Sequence, residues 1–306
     1  MNLKNLIIKL MRPLNVPITK FILKRHYSER KQLSTNEHAE RILILAPHMD
    51  DETIGPGGTI KKHAKNGAEI HCVFITDGSN SVSDLSKEEL IRARKEEIEV
   101  VKDILGIKQV HYFSLPDGKV ESNETSQQML LELIKQIDPD IIYSTLFIDA
   151  HPDHTATAEI LADTTKKIKN PRFLVRLYEI NCAIPPKYVN CVADISSTIG
   201  DKMEAMDKFV SQAIAFDGFI TLNMLKKHLV AKEESVKATE VFLELDSKSL
   251  ISHRELIALH KGKDFHSVFK QINRTDTLLW AIFQNYRLKL HLYNETLRQS
   301  DLEDVK

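Results

Sequence analysis

Two short clusters hold the residue types that metal chemistry needs. The first is His48-Met49-Asp50-Asp51-Glu52, which follows an apolar run and the pair Ala46-Pro47. The second is His151-Pro152-Asp153-His154, which follows another apolar run, Ile141-Ile142-Tyr143. Imidazoles and carboxylates together suit a divalent ion, and a catalytic zinc site uses three such ligands and leaves one position open. His48, Asp51 and His154 supply such a set. Asp50 is then a spare carboxylate beside the metal, where a general base belongs. His151 can stabilise a developing oxyanion or protonate a leaving amine. Asp153 can hydrogen-bond a ligand histidine from behind and fix its tautomer, and Glu52 is a candidate for a similar supporting role. The chemistry indicated is hydrolysis, in which a bound ion lowers the pKa of water and polarises a carbonyl oxygen. Each cluster alone has a plainer reading. Asp-Asp-Glu also suits a helix start, favoured by the helix dipole, and His-Pro-Asp-His a polar turn. Their joint occurrence, each after a strand-like run, favours the metal.

The elements that must position these clusters are legible. Strands are expected at Arg41 to Ala46, Glu69 to Thr76, Gln109 to Phe113 and Asp140 to Thr145. Helices are expected at Thr59 to Asn66, Ser86 to Leu105, Glu124 to Gln136 and Thr155 to Ile168. Ser86 with Glu89 makes a capping box, and Gly106 a stop. Further strands are expected at Phe173 to Ile180 and Tyr188 to Ile195, and helices at Ser197 to Ala215 and Leu222 to Leu245. Strands alternating with helices predict an α/β fold with a parallel sheet and right-handed crossovers. Such sheets bind ligands at the carboxyl ends of their strands, where both clusters fall.

The rest of the chain sets bounds. A formal net charge of −1 over 306 residues gives no electrostatic footprint for nucleic acid. Cys72, Cys182 and Cys191 form no CxxC pair and read as buried thiols of a reducing, cytoplasmic setting. No apolar run reaches the roughly 18 residues that span a bilayer. Residues 1–28 contain no acid and interleave Lys4, Lys9, Arg12, Lys20, Lys24 and Arg25 with apolar residues. This basic amphipathic stretch predicts either a helix packed on the domain or a partner subunit, or peripheral contact with an anionic membrane. Residues 29–40 read as a polar connector. The aromatic-rich tail, from Phe265, predicts one or two amphipathic helices and is compatible with a homo-oligomer. The expected organisation is therefore an N-terminal extension over 1–40, a catalytic domain over 41–245 and a helical C-terminal extension over 246–306. His63, His71, His111, His228, His253, His260, His266 and His291 are expected to be surface or core histidines.

The two motifs resemble the signature of the PIG-L/LmbE-like zinc-dependent N-deacetylases, whose motifs read His-Pro-Asp-Asp-Glu and His-Pro-Asp-His. The resemblance runs from about Arg41 to Phe242. It includes Gly57-Gly58-Thr59, Arg94 and Glu97, Leu115-Pro116-Asp117-Gly118, Val192-Ala193-Asp194-Ile195, and Lys202 through Ser211-Gln212. It implies a Rossmann-like fold and removal of an acetyl group from an N-acetylglucosamine conjugate, either a small molecule or lipid-linked. It also implies metal ligands at His48, Asp51 and His154, a base at Asp50 and an oxyanion-stabilising histidine at His151. Arg94 and Asp117 match positions that contact the substrate. Zinc is the implied ion, and Fe(II), Co(II) and Mn(II) also suit oxygen and nitrogen ligands. Met49 stands where the family has proline, which removes a fixed φ but no ligand. Phe209 stands where many relatives carry histidine or tyrosine.

Three other readings start from the same residues. Two histidines and a carboxylate also hold Fe(II) in oxygenases. A sugar-binding protein would use the same pocket without needing Asp50 as a base. A hydrolase acting on a different N-acyl group would use every residue named.

Overall fold

The computed structural model describes the chain except residues 1–2, 35–38, 81–82, 84, 213, 231–234, 261–264 and 298–306, and no side chain before residue 10. Part of the basic N-terminal stretch, including Lys4 and Lys9, thus has its side chains outside the described residues. After helix α1 (Leu3–His26) come β1 (Arg41–Ala46), α2 (Asp51–Ile54), α3 (Gly57–Lys65), β2 (Glu69–Thr76), α4 (Lys87–Leu105) and β3 (Gln109–Leu115). Next are α5 (Glu124–Ile137), β4 (Ile141–Thr145), α6 (Pro152–Thr165), β5 (Leu174–Tyr178), β6 (Cys191–Asp194) and α7 (Ile199–Met206). The described chain ends with α8 (Asp217–Lys226), β7 (Thr239–Leu245), α9 (Ser247–Ala258), α10 (Phe265–Val268), α11 (Leu278–Phe283) and α12 (Tyr286–Thr296).

The strands form one seven-stranded sheet in the order β3-β2-β1-β4-β5-β7-β6. The run from β3 to β5 is parallel. β7 lies antiparallel to β5 and β6. The fold is thus α/β with a mostly parallel sheet flanked by helices, as expected. β1 is buried from Ile42 onward, because helices cover both faces of a parallel sheet and its central strands must be apolar throughout. From β1 the chain crosses to β2 on one side and later returns to β4 on the other. That reversal opens a crevice at the carboxyl ends of β1 and β4. α4 begins with the predicted capping box between Ser86 and Glu89 and ends at Gly106 in the left-handed conformation.

One stretch differs from expectation. The helix expected over Leu222 to Leu245 is instead α8, a short 3-10 turn (Lys227–Leu229) and the buried strand β7. Glu240 and Glu244 are spaced like the polar stripe of a helix, but both are buried. Lys202 Nζ lies 2.7 Å from Glu240, and Arg176 Nε 2.6 Å from Glu244. These charges from distant elements let a strand rich in Thr, Val and Phe carry two acids inside the sheet. The helix expected over Ser197 to Ala215 is also shorter, since among the described residues of that stretch only Ile199–Met206 is helical.

The C-terminal helices close over the domain. Arg254 of α9 pairs with Glu159 (3.1 Å) and Asp163 (3.5 Å) of α6. The Nδ1 of His253 lies 3.1 Å from the Thr296 carbonyl at the end of α12. At the other terminus, α1 buries Thr19, Leu23 and the following Tyr27, and its Arg12 pairs with Asp217 of α8.

Candidate metal centre

Strand β1 ends at Ala46, Pro47 turns the chain, and the first motif occupies the start of α2. Asp50 stands at the N-cap of α2, yet its side chain makes no cap hydrogen bond. It lines a cavity of about 310 Å³ instead, together with His48, Asp51, Arg94, Asp117, His151 and His154. The capping explanation of the first motif therefore does not account for Asp50. Beyond β4 the second motif starts α6, with Pro152 in its first turn. The His151 Nδ1 accepts the Asp153 backbone N–H at 3.3 Å, so the proton of a neutral ring sits on Nε2.

Three atoms form a nearly equilateral triangle. His48 Nδ1 lies 3.2 Å from Asp51 Oδ2, Asp51 Oδ2 lies 3.4 Å from His154 Nε2, and His154 Nε2 lies 3.3 Å from His48 Nδ1. A tetrahedral ion with bonds of about 2.0–2.1 Å has ligand-to-ligand edges of about 3.3–3.4 Å. The three predicted ligands therefore fit one face of such a coordination sphere. His151 joins the same cluster, its ring centroid 4.7 Å from that of His48.

Both histidines of the triangle are braced on the nitrogen that faces away from it. His48 Nε2 lies 3.2 Å from Asp153 Oδ2 and 3.4 Å from Asp117 Oδ1. Asp153 is itself fixed by the backbone N–H groups of Gly118 (2.7 Å) and Val120 (3.1 Å). His154 Nδ1 lies 3.0 Å from Asp149 Oδ1. Asp149 also accepts the backbone N–H of His151 at 2.9 Å and of Asn181 at 3.0 Å. Such bracing fixes each tautomer and raises the basicity of the nitrogen that would bind metal.

The field at this site favours positive charge. Burial disfavours the His154 imidazolium, but Asp51 and Asp149 outweigh it and push its pKa up to about 10. Burial likewise opposes His48, where hydrogen bonds to Asp117, Asp153 and Asp51 prevail and raise its pKa. Asp51 is driven below the usual carboxylate range: burial opposes the shift, and His154 and His48 overcome it. Asp50 goes the other way, pushed up to about 7 by burial and by the Asp51 charge. His151 is lowered to about 4 by burial and by His154 and His48.

The remaining predicted residues divide. Arg94 of α4 is buried beside the cavity and donates to the Gly78 carbonyl at 2.9 Å. Asp117 lines the cavity and also accepts the Asn80 N–H at 3.0 Å. Glu52 does not join the site. Its buried carboxyl accepts from the Thr53 hydroxyl, burial pushes its pKa up to about 8, and among the described residues it makes no hydrogen bond to His48, Asp51 or His154. Phe209 is buried away from the cavity.

Several residues around the site were given no role there by the sequence, although Glu97, Lys202 and Ser211-Gln212 fall within the resemblance. Asn181 lines the cavity just beyond β5, and its side-chain amide lies 3.1 Å from Asp149. Its place at the carboxyl end of a strand next to β4 was the available signal. Gln212 lines the cavity and donates to the Met49 carbonyl at 2.7 Å, while Glu97 of α4 holds the neighbouring Ser211 N–H at 2.7 Å. Gln271 reaches the cavity from the C-terminal region. Lys202 Nζ caps the carbonyls of Ile54 (2.7 Å) and Gly55 (3.1 Å), while Glu240 accepts the N–H groups of Gly58 (2.9 Å) and Thr59 (2.8 Å). One buried ion pair thus clamps the end of α2 to the start of α3.

Residues 43–165 match the family model PIG-L, described as GlcNAc-PI de-N-acetylase. The diacetylchitobiose deacetylase of Thermococcus kodakarensis is 32% identical over 120 residues, which cover 38% of this chain and 45% of that protein. The match therefore spans less than half the length of that relative. A probable N-acetyl-alpha-D-glucosaminyl L-malate deacetylase 2 of Bacillus anthracis is 25% identical over 189 residues, 58% of this chain and 83% of that one. The solved N,N'-diacetylchitobiose deacetylase from Pyrococcus horikoshii has the same fold, with a TM-score of 0.60 at 22% identity, covering 81% of this chain and 94% of that one.

Proposed function

We propose that this chain is a metal-dependent hydrolase that removes the acetyl group from an N-acetylglucosamine-type conjugate, releasing acetate and a free amine. The observation that carries the proposal is the triangle of His48 Nδ1, Asp51 Oδ2 and His154 Nε2, with edges of 3.2, 3.4 and 3.3 Å and a spare carboxylate, Asp50, in the same cavity. The named activities of the relatives support the substrate class. In this reading His48, Asp51 and His154 hold the ion. Zinc is the default for such a set, and Fe(II), Co(II) or Mn(II) suit the same donors. A divalent ion bound there acidifies water and polarises the acyl oxygen.

The protein's own groups do the rest. Asp50, whose carboxylate lies in the same cavity and is not needed as a ligand, takes a proton from the attacking water as the new C–O bond forms. The neutral His151 ring points to a hydrogen-bond donor, so its Nε2–H stabilises the tetrahedral oxyanion. Asp50 then returns its proton to the departing nitrogen as the C–N bond breaks. Arg94 and Asp117 orient the sugar. Asp153 and Asp149 hold the two histidines in register.

In this reading residues 41–245 form the catalytic domain. The extension over 246–306 shapes the mouth of the cavity through Gln271. The three unpaired, buried cysteines suit a reducing compartment. The test is acetate release from a panel of soluble and lipid-linked N-acetylglucosamine conjugates by zinc-loaded protein. Release from at least one conjugate supports the proposal. Release of a different acid from another N-acyl substrate, or tight sugar binding without release, would replace it.

A further inference from the structure

α1 has two apolar faces, and only one meets the domain. Thr19 and Leu23, with Tyr27 just beyond the helix, are buried against the protein. On another side, Leu10 is 70% exposed, Leu14 64%, Ile18 53% and Phe21 56%, and Met11 and Ile22 are exposed beside them. At about 100° per residue, these six side chains fall within about one third of the helix circumference. Solvated helix faces are polar, so a continuous stripe of this kind marks an interaction surface.

The charge around the stripe selects the occupant. Residues 1–28 contain no Asp or Glu. Lys20 and Lys24 are exposed along one edge of the stripe. The Arg25 guanidinium lies over the Phe21 ring, 4.3 Å from its centroid, so its stem covers apolar surface while its charge meets the headgroup layer. The stripe continues onto α11, where the exposed Phe283 ring stands 5.0 Å from His26, and Trp280 is half-exposed one turn earlier. Aromatic rings beside basic side chains suit the boundary between lipid and water. A second copy of this chain would set Lys20, Lys24 and Arg25 against their own equivalents, with no acid from this segment to compensate.

We infer that the outer face of α1 is a docking surface for an anionic lipid bilayer, with the helix lying in the headgroup plane. Among the described residues no helix is long and apolar enough to cross a membrane, so the contact is peripheral. α11 borders this face and also supplies Trp280 and Ala281 to a hollow next to the catalytic cavity, the two sharing Gln271. The inference does not depend on the deacetylase reading.

The test is co-sedimentation of the full chain with vesicles of phosphatidylcholine alone or mixed with phosphatidylglycerol. Binding to the mixed vesicles, weakened by salt, is expected. Leu14→Glu with Ile18→Glu should lower the partition constant at least about tenfold. Lys20→Gln with Lys24→Gln should lower it by about 30-fold on the mixed vesicles alone. Both changes lie on exposed positions, so an unchanged urea midpoint checks that the fold is intact. Failure of the wild type to bind the mixed vesicles overturns the inference, as does binding that survives Leu14→Glu with Ile18→Glu. A solution dimer dissociated by that double variant, without vesicle binding, would assign the face to a second copy instead.

Discussion

Asp149→Asn should separate the scaffold of the site from its chemistry. Asp149 lies outside the proposed ligand set, yet its carboxylate gathers the His154 ring N–H at 3.0 Å, the His151 N–H at 2.9 Å and the Asn181 side-chain amide at 3.1 Å on one oxygen. The other oxygen takes the backbone N–H groups of Asn181 (3.0 Å) and Cys182 (3.3 Å). An asparagine keeps only one of these oxygens. Its best orientation holds the oxygen towards His154 and turns the NH2 against the two backbone donors. Hydrogen bonds to a charged group contribute roughly 1.5–3 kcal/mol, and a stranded buried donor costs about 1–3 kcal/mol. The metal-free variant should therefore lose on the order of 3–5 kcal/mol of stability in a urea titration. The weakened brace on His154 should lower metal affinity by about 10–100-fold, measured by competition with a chelator at fixed pH. An affinity within about twofold of wild type would refute the claim that Asp149 holds His154 as a ligand.

Other expectations follow from the packing. Lys202→Met leaves Glu240 buried without its cation and uncaps two carbonyls at the end of α2; the loss of about 3–5 kcal/mol should lower the melting temperature by roughly 5–15 °C. A scan showing no shift would remove the clamp from the account. Gly55→Ala would place a Cβ 2.2 Å from the Tyr178 ring, which cannot retreat because its hydroxyl bonds the Leu45 carbonyl at 2.7 Å; a loss of about 1–3 kcal/mol is expected in urea. His253 is buried, and its pKa is lowered from 6.5 to about 4 chiefly by that burial. The unfolded chain therefore binds the proton first. Its contribution of up to about 3 kcal/mol is fully present above pH 6.5 and is lost as pH falls towards 4. His253→Gln should flatten the pH dependence of stability in that window, and an unchanged slope would assign the acid sensitivity elsewhere.

What could be read from the sequence was local. The strand, turn and helix around each motif announce themselves through apolar runs and helix starts. β1 and β2 consequently occupy the expected residues, and α4 carries the expected capping box. The meeting of His48, Asp51 and His154 followed from strand-end geometry, a rule about topology rather than distance. The parts not legible are those decided by partners far along the chain. β7 falls in a stretch expected to be helical; it carries Glu240 and Glu244 at helical spacing, and Lys202 and Arg176 make their burial in a strand tolerable. Asp149 stood in view beside the second motif, but its role depends on Asn181 beyond the next strand. Glu52 sits in the first motif by sequence and in the core by structure. Gln271 comes from a segment with no motif at all and reaches the cavity only through the packing of the C-terminal helices.

The most direct test of the central claim compares wild type with Asp50→Asn, measuring bound zinc and acetate release on the best conjugate side by side. Asp50 is proposed as the base and not as a ligand. Both proteins should therefore hold about one ion per chain, while turnover falls by at least about 100-fold in the variant. Near wild-type turnover in Asp50→Asn, or loss of the metal with it, would contradict the assignment of roles at this site.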